Sequence, residues 1–258
     1  MKVCFLYIGT GDYIKFWSGF YESVMKFMYS PENAIFIVFT DSEDFKNKYI
    51  SSSSVRVVMT KSEVWPFPTL HRFNYFMNAK LDSVDADVFV FCNANLRFVS
   101  NFSMCELLAG KSYFATRHPG YDNVSKIKFP LETRSESLAF VNRDLCSEYV
   151  CGGFYGGLKL PFLKAIRALD RSVSFDFSNN IIARWHDESH WNAYFNKFRH
   201  EFNLLDSDFC RPSDHQLVSN ARAIILDKSK VIGVRNKGYL YTVKFYIFKF
   251  LKLFRRYL

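Results

Sequence analysis

The sequence has little of what most cofactor and metal sites require. Six cysteines stand at 4, 92, 105, 146, 151 and 210, and no two form Cys-x-x-Cys. That disfavours a cysteine zinc site. Several lie in apolar runs, where a free thiol packs as a small hydrophobe, and a reducing compartment is the simplest setting. Glycine is scarce, 11 in 258 residues. No Gly-Lys-Ser/Thr follows any glycine cluster, which excludes a Walker phosphate loop. Gly9-Thr10-Gly11 lacks the third glycine of a dinucleotide fingerprint, which leaves a Rossmann cofactor site weakly supported. No uncharged apolar run reaches the length of a membrane span. The opening MKVCFLYIGTGDY is too short an apolar run for a secretory signal, so the sequons at Asn101 and Asn123 carry no weight. There is no internal repeat.

Aromatic residues are abundant, with 29 Phe and 15 Tyr, and 49% of the chain is apolar. That is a globular composition with material for a sizeable core. The net charge of +9 is unevenly spread: residues 239–258 carry Lys244, Lys249, Lys252, Arg255 and Arg256 without an acid, leaving +4 for the rest. The body is mildly basic, and no nucleic-acid partner is expected.

Apolar patterning gives strands at Val3–Ile8, Ala34–Thr40, Val55–Met59 and Asp87–Cys92, with helices at Phe16–Tyr29 and Leu70–Leu81. Continuously apolar strands alternating with amphipathic helices predict an α/β domain with a largely parallel sheet. Ligands of such sheets bind beyond the carboxyl ends of the strands. Three such ends are Gly9-Thr10-Gly11, Thr40-Asp41-Ser42 and Asn93-Ala94-Asn95. Further on, Lys126–Asn142 reads as a polar, mobile connection, Tyr149–Gly157 as a glycine-rich block, and Pro161–Leu169 as a helix.

Asn93-Ala94-Asn95 places two amides where a carboxylate pair commonly holds a metal. In Trp185-His-Asp-Glu-Ser-His-Trp-Asn, His186 and His190 share one helix face, a spacing that can bind zinc, but Asp187 stands where the zinc-protease pattern needs Glu. A solvated helix start is the plain alternative, since Asp187 and Glu188 suit a helix N-terminus. Trp185 and Trp191 argue against a merely solvated face. Gly152-Gly153 and Gly156-Gly157 fit either a bulged strand or a wall where backbone approaches a ligand closely. Arg117-His118-Pro119-Gly120-Tyr121 reads as a turn or as a ligand contact.

In order, FCNAN, RHPGYD, CGGFYGG, WHDESHWN and GVRN resemble the family-6 glycosyltransferases, the group that includes the histo-blood-group A and B transferases. The resemblance covers about residues 3–238 and implies one GT-A domain there, a single Rossmann-like unit with a mixed central sheet. It implies transfer of galactose or N-acetylgalactosamine from a UDP-sugar to the 3-hydroxyl of a galactose, with retention at the anomeric carbon. Vertebrate members carry Asp-x-Asp at the place of Asn93-Ala94-Asn95, where it binds Mn²⁺. The amides here resemble the metal-independent bacterial branch, and no cofactor is expected. By the same matching, Ile8, Gly9, Thr10 and Tyr13 hold uracil and ribose. Arg72, Asn93, Ala94, Asn95, Gly152, Gly153 and Asp187 face the donor. Lys230 and Arg235 fold over the diphosphate, with Lys228 competing for the role of Lys230. His118 and Trp185 match acceptor contacts, and Glu188 matches the catalytic carboxylate, either nucleophile or stabiliser of the oxocarbenium ion. Glycine at 153 implies UDP-GalNAc as donor and a fucosylated galactose as acceptor. The alternatives are a UDP-galactose enzyme or an inactive sugar-binding protein on the same scaffold.

The tail 239–258 lies outside the resemblance. Wound as a helix, its five cations fall within an arc of about 140°, with Tyr246, Ile247, Phe250, Leu251, Leu253 and Phe254 opposite and Phe245 and Phe248 among the cations. A basic amphipathic helix of this kind reads as an interfacial anchor on an anionic membrane surface. The expected location is cytoplasmic, peripheral on the inner face of the membrane.

Overall fold

A computed structural model describes residues 1–214 and 218–233. Arg235 and the tail 239–258 lie outside the described residues. In chain order the elements are β1 (Val3–Ile8), α1 (Trp17–Phe27), β2 (Ala34–Thr40), α2 (Glu43–Tyr49), β3 (Val55–Met59), α3 (Phe67–Leu70), α4 (Arg72–Asn78), β4 (Val88–Cys92), β5 (Leu96–Phe98), α5 (Met104–Leu108), β6 (Tyr113–Arg117), β7 (Val150–Leu158), α6 (Lys159–Ser178), α7 (His186–Lys197), β8 (Phe202–Leu205), β9 (Arg211–Pro212), β10 (Ala223–Ile225) and α8 (Lys228–Ile232).

The main sheet has the order β3-β2-β1-β4-β7-β6-β8. β3, β2, β1 and β4 run parallel, whereas β7 is antiparallel to both β4 and β6. The sheet is therefore mixed, with its parallel half where the apolar runs are longest. Both faces are covered, which is why those strands carry no polar alternation. Phe20 and Val24 of α1 and Phe45 of α2 pack on one face. Phe73 and Phe76 of α4, Phe162 and Ile166 of α6, and Trp191 and Phe195 of α7 pack on the other. Strand order reverses between β1 and β4, so their carboxyl ends open the crevice that such a reversal provides. A small second sheet, β5-β10-β9, closes one side of it.

Several expected boundaries move. A 3-10 turn at Gly11–Phe16 precedes α1. The expected helix over 70–81 is broken at His71 and ends at Asn78. α6 runs to Ser178, well beyond Leu169, because Val173 and Asp176 continue its buried face. The connection at 126–142 is anchored rather than loose: Leu131 and Val141 join a separate small core with Tyr149, and Glu132 is only 3% exposed.

Candidate active site

The site is assembled at the carboxyl ends of β1 and β4 and the amino end of β7. Ile8 ends β1 and Gly9 and Thr10 follow it, with the Gly9 N–H donating to the Phe39 carbonyl (2.9 Å). Tyr13 sits in the 3-10 turn that follows, and the Tyr7 hydroxyl lies 3.3 Å from both the Tyr13 and Ala94 carbonyl oxygens. Across the crevice the Lys228 ammonium stands 5.2 Å from the Tyr13 ring centroid. It is also close enough to Arg72 for the two cations to repel. Of the two competing lysines, Lys228 is thus the one beside Tyr13, and both are exposed on α8.

β4 ends in the Asn-Ala-Asn turn. Asn95 is 2% exposed. Its amide donates to the Leu226 carbonyl (2.7 Å), and its own carbonyl accepts from the Leu226 N–H (2.9 Å), fixing the turn to the segment after β10. The Asn93 N–H donates to the Gly153 carbonyl (2.8 Å). The pairing of β6 with β7 shifts register between Ala115 and Arg117, so Gly152-Gly153 lies in a bulge. The bulged-strand reading of this block therefore holds, and its backbone faces Asn93 and Glu188. A methyl group added at Gly153 would come 2.9 Å from the Asn93 amide nitrogen, and one at Gly152 would come 3.3 Å from Cβ of Glu188. Behind this wall the Cys151 and Cys210 thiols touch at 3.3 Å, and no described cysteine is bridged.

Two carboxylates come from the start of α7. His186 precedes them in the left-handed region, φ +51°. Such a conformation costs a β-carbon residue about 1–2 kcal/mol and persists where surroundings enforce it. It turns the chain so that Asp187 and Glu188 enter the crevice together. Asp187 is buried and pairs with Arg72 (2.5 Å). Burial pushes its carboxyl up to about 6, although Arg72 pulls the other way. The same guanidinium donates to the Gly152 carbonyl (2.8 Å) and covers the Phe91 ring at 4.1 Å. Glu188 accepts from the Gly152 N–H at Oε2 (2.8 Å) and from the Tyr149 hydroxyl at Oε1 (2.7 Å). Burial raises the Glu188 pKa, while those two donors and Arg72 act to lower it. Asn192, one turn on, clamps α7 to β7 by bonding both the Val150 N–H (2.9 Å) and carbonyl (2.8 Å).

The zinc reading of His186 and His190 does not survive. His186 packs edge-on against Trp65 (4.9 Å), whereas His190 turns away to Ser172 (2.8 Å) and Asp176 (3.6 Å). Among the described residues no three His, Cys, Asp or Glu side chains gather as metal ligands. The Asn-Ala-Asn turn fits a divalent ion poorly, because both side chains are neutral amides and that of Asn95 is already engaged.

His118 follows β6, its Nδ1 accepting from the Gly120 N–H (3.0 Å). It borders a polar cavity of about 490 Å³ that also includes Arg117, Tyr121, Glu148 and Tyr149. Tyr149 is the shared wall between this cavity and Glu188. Trp185 is about half exposed beside the carboxylates. The sequence reading missed Tyr149, Asn192 and the backbone of His186. Tyr149 stands directly before the glycine-rich block, but an aromatic there reads equally well as core.

The mixed α/β sheet with a crevice at its carboxyl edge is consistent with a GT-A-like glycosyltransferase fold, the class to which the sequence comparison assigns it. The sequence matches the family described as glycosyltransferase family 6 over residues 2–232, and the chain belongs to that family. It is 28% identical over 232 residues to the O-antigen biosynthesis glycosyltransferase WbnI of Escherichia coli, covering 89% of this chain and 96% of that protein. It is 28% identical to histo-blood group ABO system transferase 1 of Rattus norvegicus over 188 residues, 70% of this chain and 53% of the rat protein. Over a shorter stretch of 81 residues, 31% of this chain and 23% of the relative, it is 38% identical to globoside alpha-1,3-N-acetylgalactosaminyltransferase 1 of Mus musculus.

Proposed function

We propose that the protein is a retaining glycosyltransferase that moves N-acetylgalactosamine from UDP-GalNAc to the 3-hydroxyl of a galactose-terminated, fucosylated acceptor, and that it does so without a metal. The observation that carries the reading is the pairing of Glu188 with the Gly152-Gly153 bulge, beside the Arg72–Asp187 pair. Breaking the bond between the anomeric carbon and the β-phosphate oxygen leaves positive charge on the carbon and negative charge on the phosphate. Glu188, as carboxylate, faces the first charge. Arg72, Lys228 and the Asn93 amide surround the second, while Asn95 holds the turn through Leu226, and Arg235 is assigned to the diphosphate by the family resemblance alone. An arginine fork suits a diphosphate because it meets two oxygens at once. The acceptor then enters from the His118 cavity, past Tyr149. The acetamido preference rests on glycine at 153 and on the N-acetylgalactosaminyl activity named for the globoside relatives. Metal independence rests on the chemistry of the two amides, which bring no charge to a divalent ion.

The test is transfer from UDP-GalNAc and UDP-Gal to a panel of galactose-terminated acceptors, with excess EDTA or added Mn²⁺. We expect turnover to persist in EDTA, to favour UDP-GalNAc, and to fall at least a hundredfold in Glu188→Gln while UDP affinity changes little. A strict Mn²⁺ requirement removes metal independence, and a preference for UDP-Gal reverses the donor assignment.

A further inference from the structure

Tyr149 is almost fully buried, yet its hydroxyl is committed to the one part-exposed carboxylate of the site. Its ring is gripped by His118 (5.8 Å), Tyr121 (5.1 Å) and Phe129 (5.9 Å). Phe129 belongs to the small separate core of the 126–149 connection. These rings hold it in place, and among the described residues its hydroxyl has one partner, Oε1 of Glu188 at 2.7 Å. The other oxygen, Oε2, takes the Gly152 N–H at 2.8 Å. Two donors from one short stretch of chain hold both oxygens, so the carboxylate cannot rotate about its last bond.

We propose that Tyr149 is a positioning residue for Glu188, locking the plane of its carboxylate toward the crevice while coupling that carboxylate to the acceptor-side cavity. The consequence for sugar transfer rests on the function proposed above; the coupling itself does not. A hydroxyl donating to a carboxylate also favours the charged form. Glu188 needs that support, since burial opposes its ionisation. The other groups facing it are Arg72 from α4, which favours the anion, Asp187 on its own helix, and the Cys210 thiol ahead of β9. Tyr149 itself stays protonated, because burial and Glu188 both push its pKa upward. The hydroxyl is thus a fixed donor throughout the working pH range.

The experiment is Tyr149→Phe in the full chain, which keeps the packed ring and removes only the donor. Thermal unfolding verifies that the variant is folded. Carboxyl ¹³C NMR titration, with Glu188→Gln assigning the resonance, reads the coupling without substrate. We expect the Glu188 titration to move up by about one pH unit, the size of a charge-assisted hydrogen bond. With UDP-GalNAc and an acceptor, we expect kcat to fall about 10- to 100-fold, the acidic limb of the rate profile to shift upward, and the donor KM to change less than threefold. In a Glu188→Gln background the added Tyr149→Phe should cost less than threefold. An unmoved titration, or a kcat within twofold of the parent with an unchanged acidic limb, overturns the proposal. If the parent chain transfers no sugar but the titration moves, the coupling stands and the functional reading of the site fails instead.

Discussion

Arg72 illustrates how much one side chain joins. Its guanidinium meets Asp187, the Gly152 carbonyl and the Phe91 ring, yet its buried Nε finds no partner among the described residues. Buried charge of this kind is tolerated only when paired, and losing one member typically costs about 3–5 kcal/mol. The motif WHDESH marked Asp187 and Glu188 because their identities carry the chemistry. Nothing in residue identity marked that His186 must adopt a positive φ, or that Tyr149 would be aimed at Glu188 rather than into the core, since both facts arise from long-range packing. Gly153 lies between these cases: its identity was legible, but its neighbour was not. A methyl there meets the Asn93 amide at 2.9 Å before it meets the Cys210 thiol at 3.7 Å. The Asn93 amide must then rotate, taking room beside the donor sugar. We expect Gly153→Ala to lower kcat/KM for UDP-GalNAc at least tenfold relative to UDP-Gal, the usual scale for one methyl in a fitted pocket. An equal loss with both donors would mean that the methyl acts by displacing Asn93 from the diphosphate, and Gly153 would not be the acetamido reader.

Elements were legible where a strand is buried on both faces. β1, β2 and β4 read directly from their apolar runs and include the carboxyl ends that form the site, while the half-exposed edge strand β3 read from its valines. β6 and β8 did not, because a short strand in mixed surroundings lacks a long apolar run. The antiparallel insertion of β7 could not be inferred either, since glycine pairs give no alternation to count. The clasp between α6 and α7 was equally hidden. His190 lies against Ser172 and Asp176, Asp176 accepts from the Ser137 hydroxyl and the Leu138 N–H, and Glu132 accepts from Arg134 and the Arg184 N–H. This clasp holds the start of α7, and so both carboxylates, from behind. Burial lowers His190 to about 4, against opposing pulls from Asp176 and Glu132. Between its ordinary value near 6.5 and about 4, the unfolded chain takes up a proton that the folded chain refuses. The stability is present above that window and is lost as pH falls through it, by up to about 3 kcal/mol. Asp187, raised to about 6, has the opposite sign: its contribution is present at low pH and lost as pH rises through that value. The raw slope therefore mixes the two, and the informative comparison is with His190→Gln. Urea unfolding between pH 7 and 4 should lose stability less steeply in that variant than in the parent, and parallel curves would take His190 out of the acid response.

At the scale of the whole molecule the remaining question is why the cations are placed as they are. Five of the net nine positive charges fall in residues 239–258, which the family match to residues 2–232 does not reach. None of the described helices is long and apolar enough to cross a membrane. A glycan acceptor carried on lipid would bring the enzyme to a membrane surface, and the composition of residues 239–258 suits a surface contact there. Each lysine or arginine near an anionic leaflet contributes on the order of 1 kcal/mol, and the aromatic side adds apolar burial. Five such cations correspond to a partition ratio that changes by roughly several thousandfold, and the electrostatic part should weaken as the Debye length shortens with salt. The catalytic body, at +4, is a poor substitute because its charges are dispersed and several arginines are already paired with carboxylates. We therefore expect the full chain to co-sediment with vesicles containing phosphatidylserine but not with purely zwitterionic ones, and to detach as salt is raised. A chain ending at residue 238 should stay in the supernatant while keeping its turnover on a soluble acceptor. If the shortened chain binds anionic vesicles as well as the full one, the body carries the contact; if it unfolds, the tail is part of the fold and not an anchor.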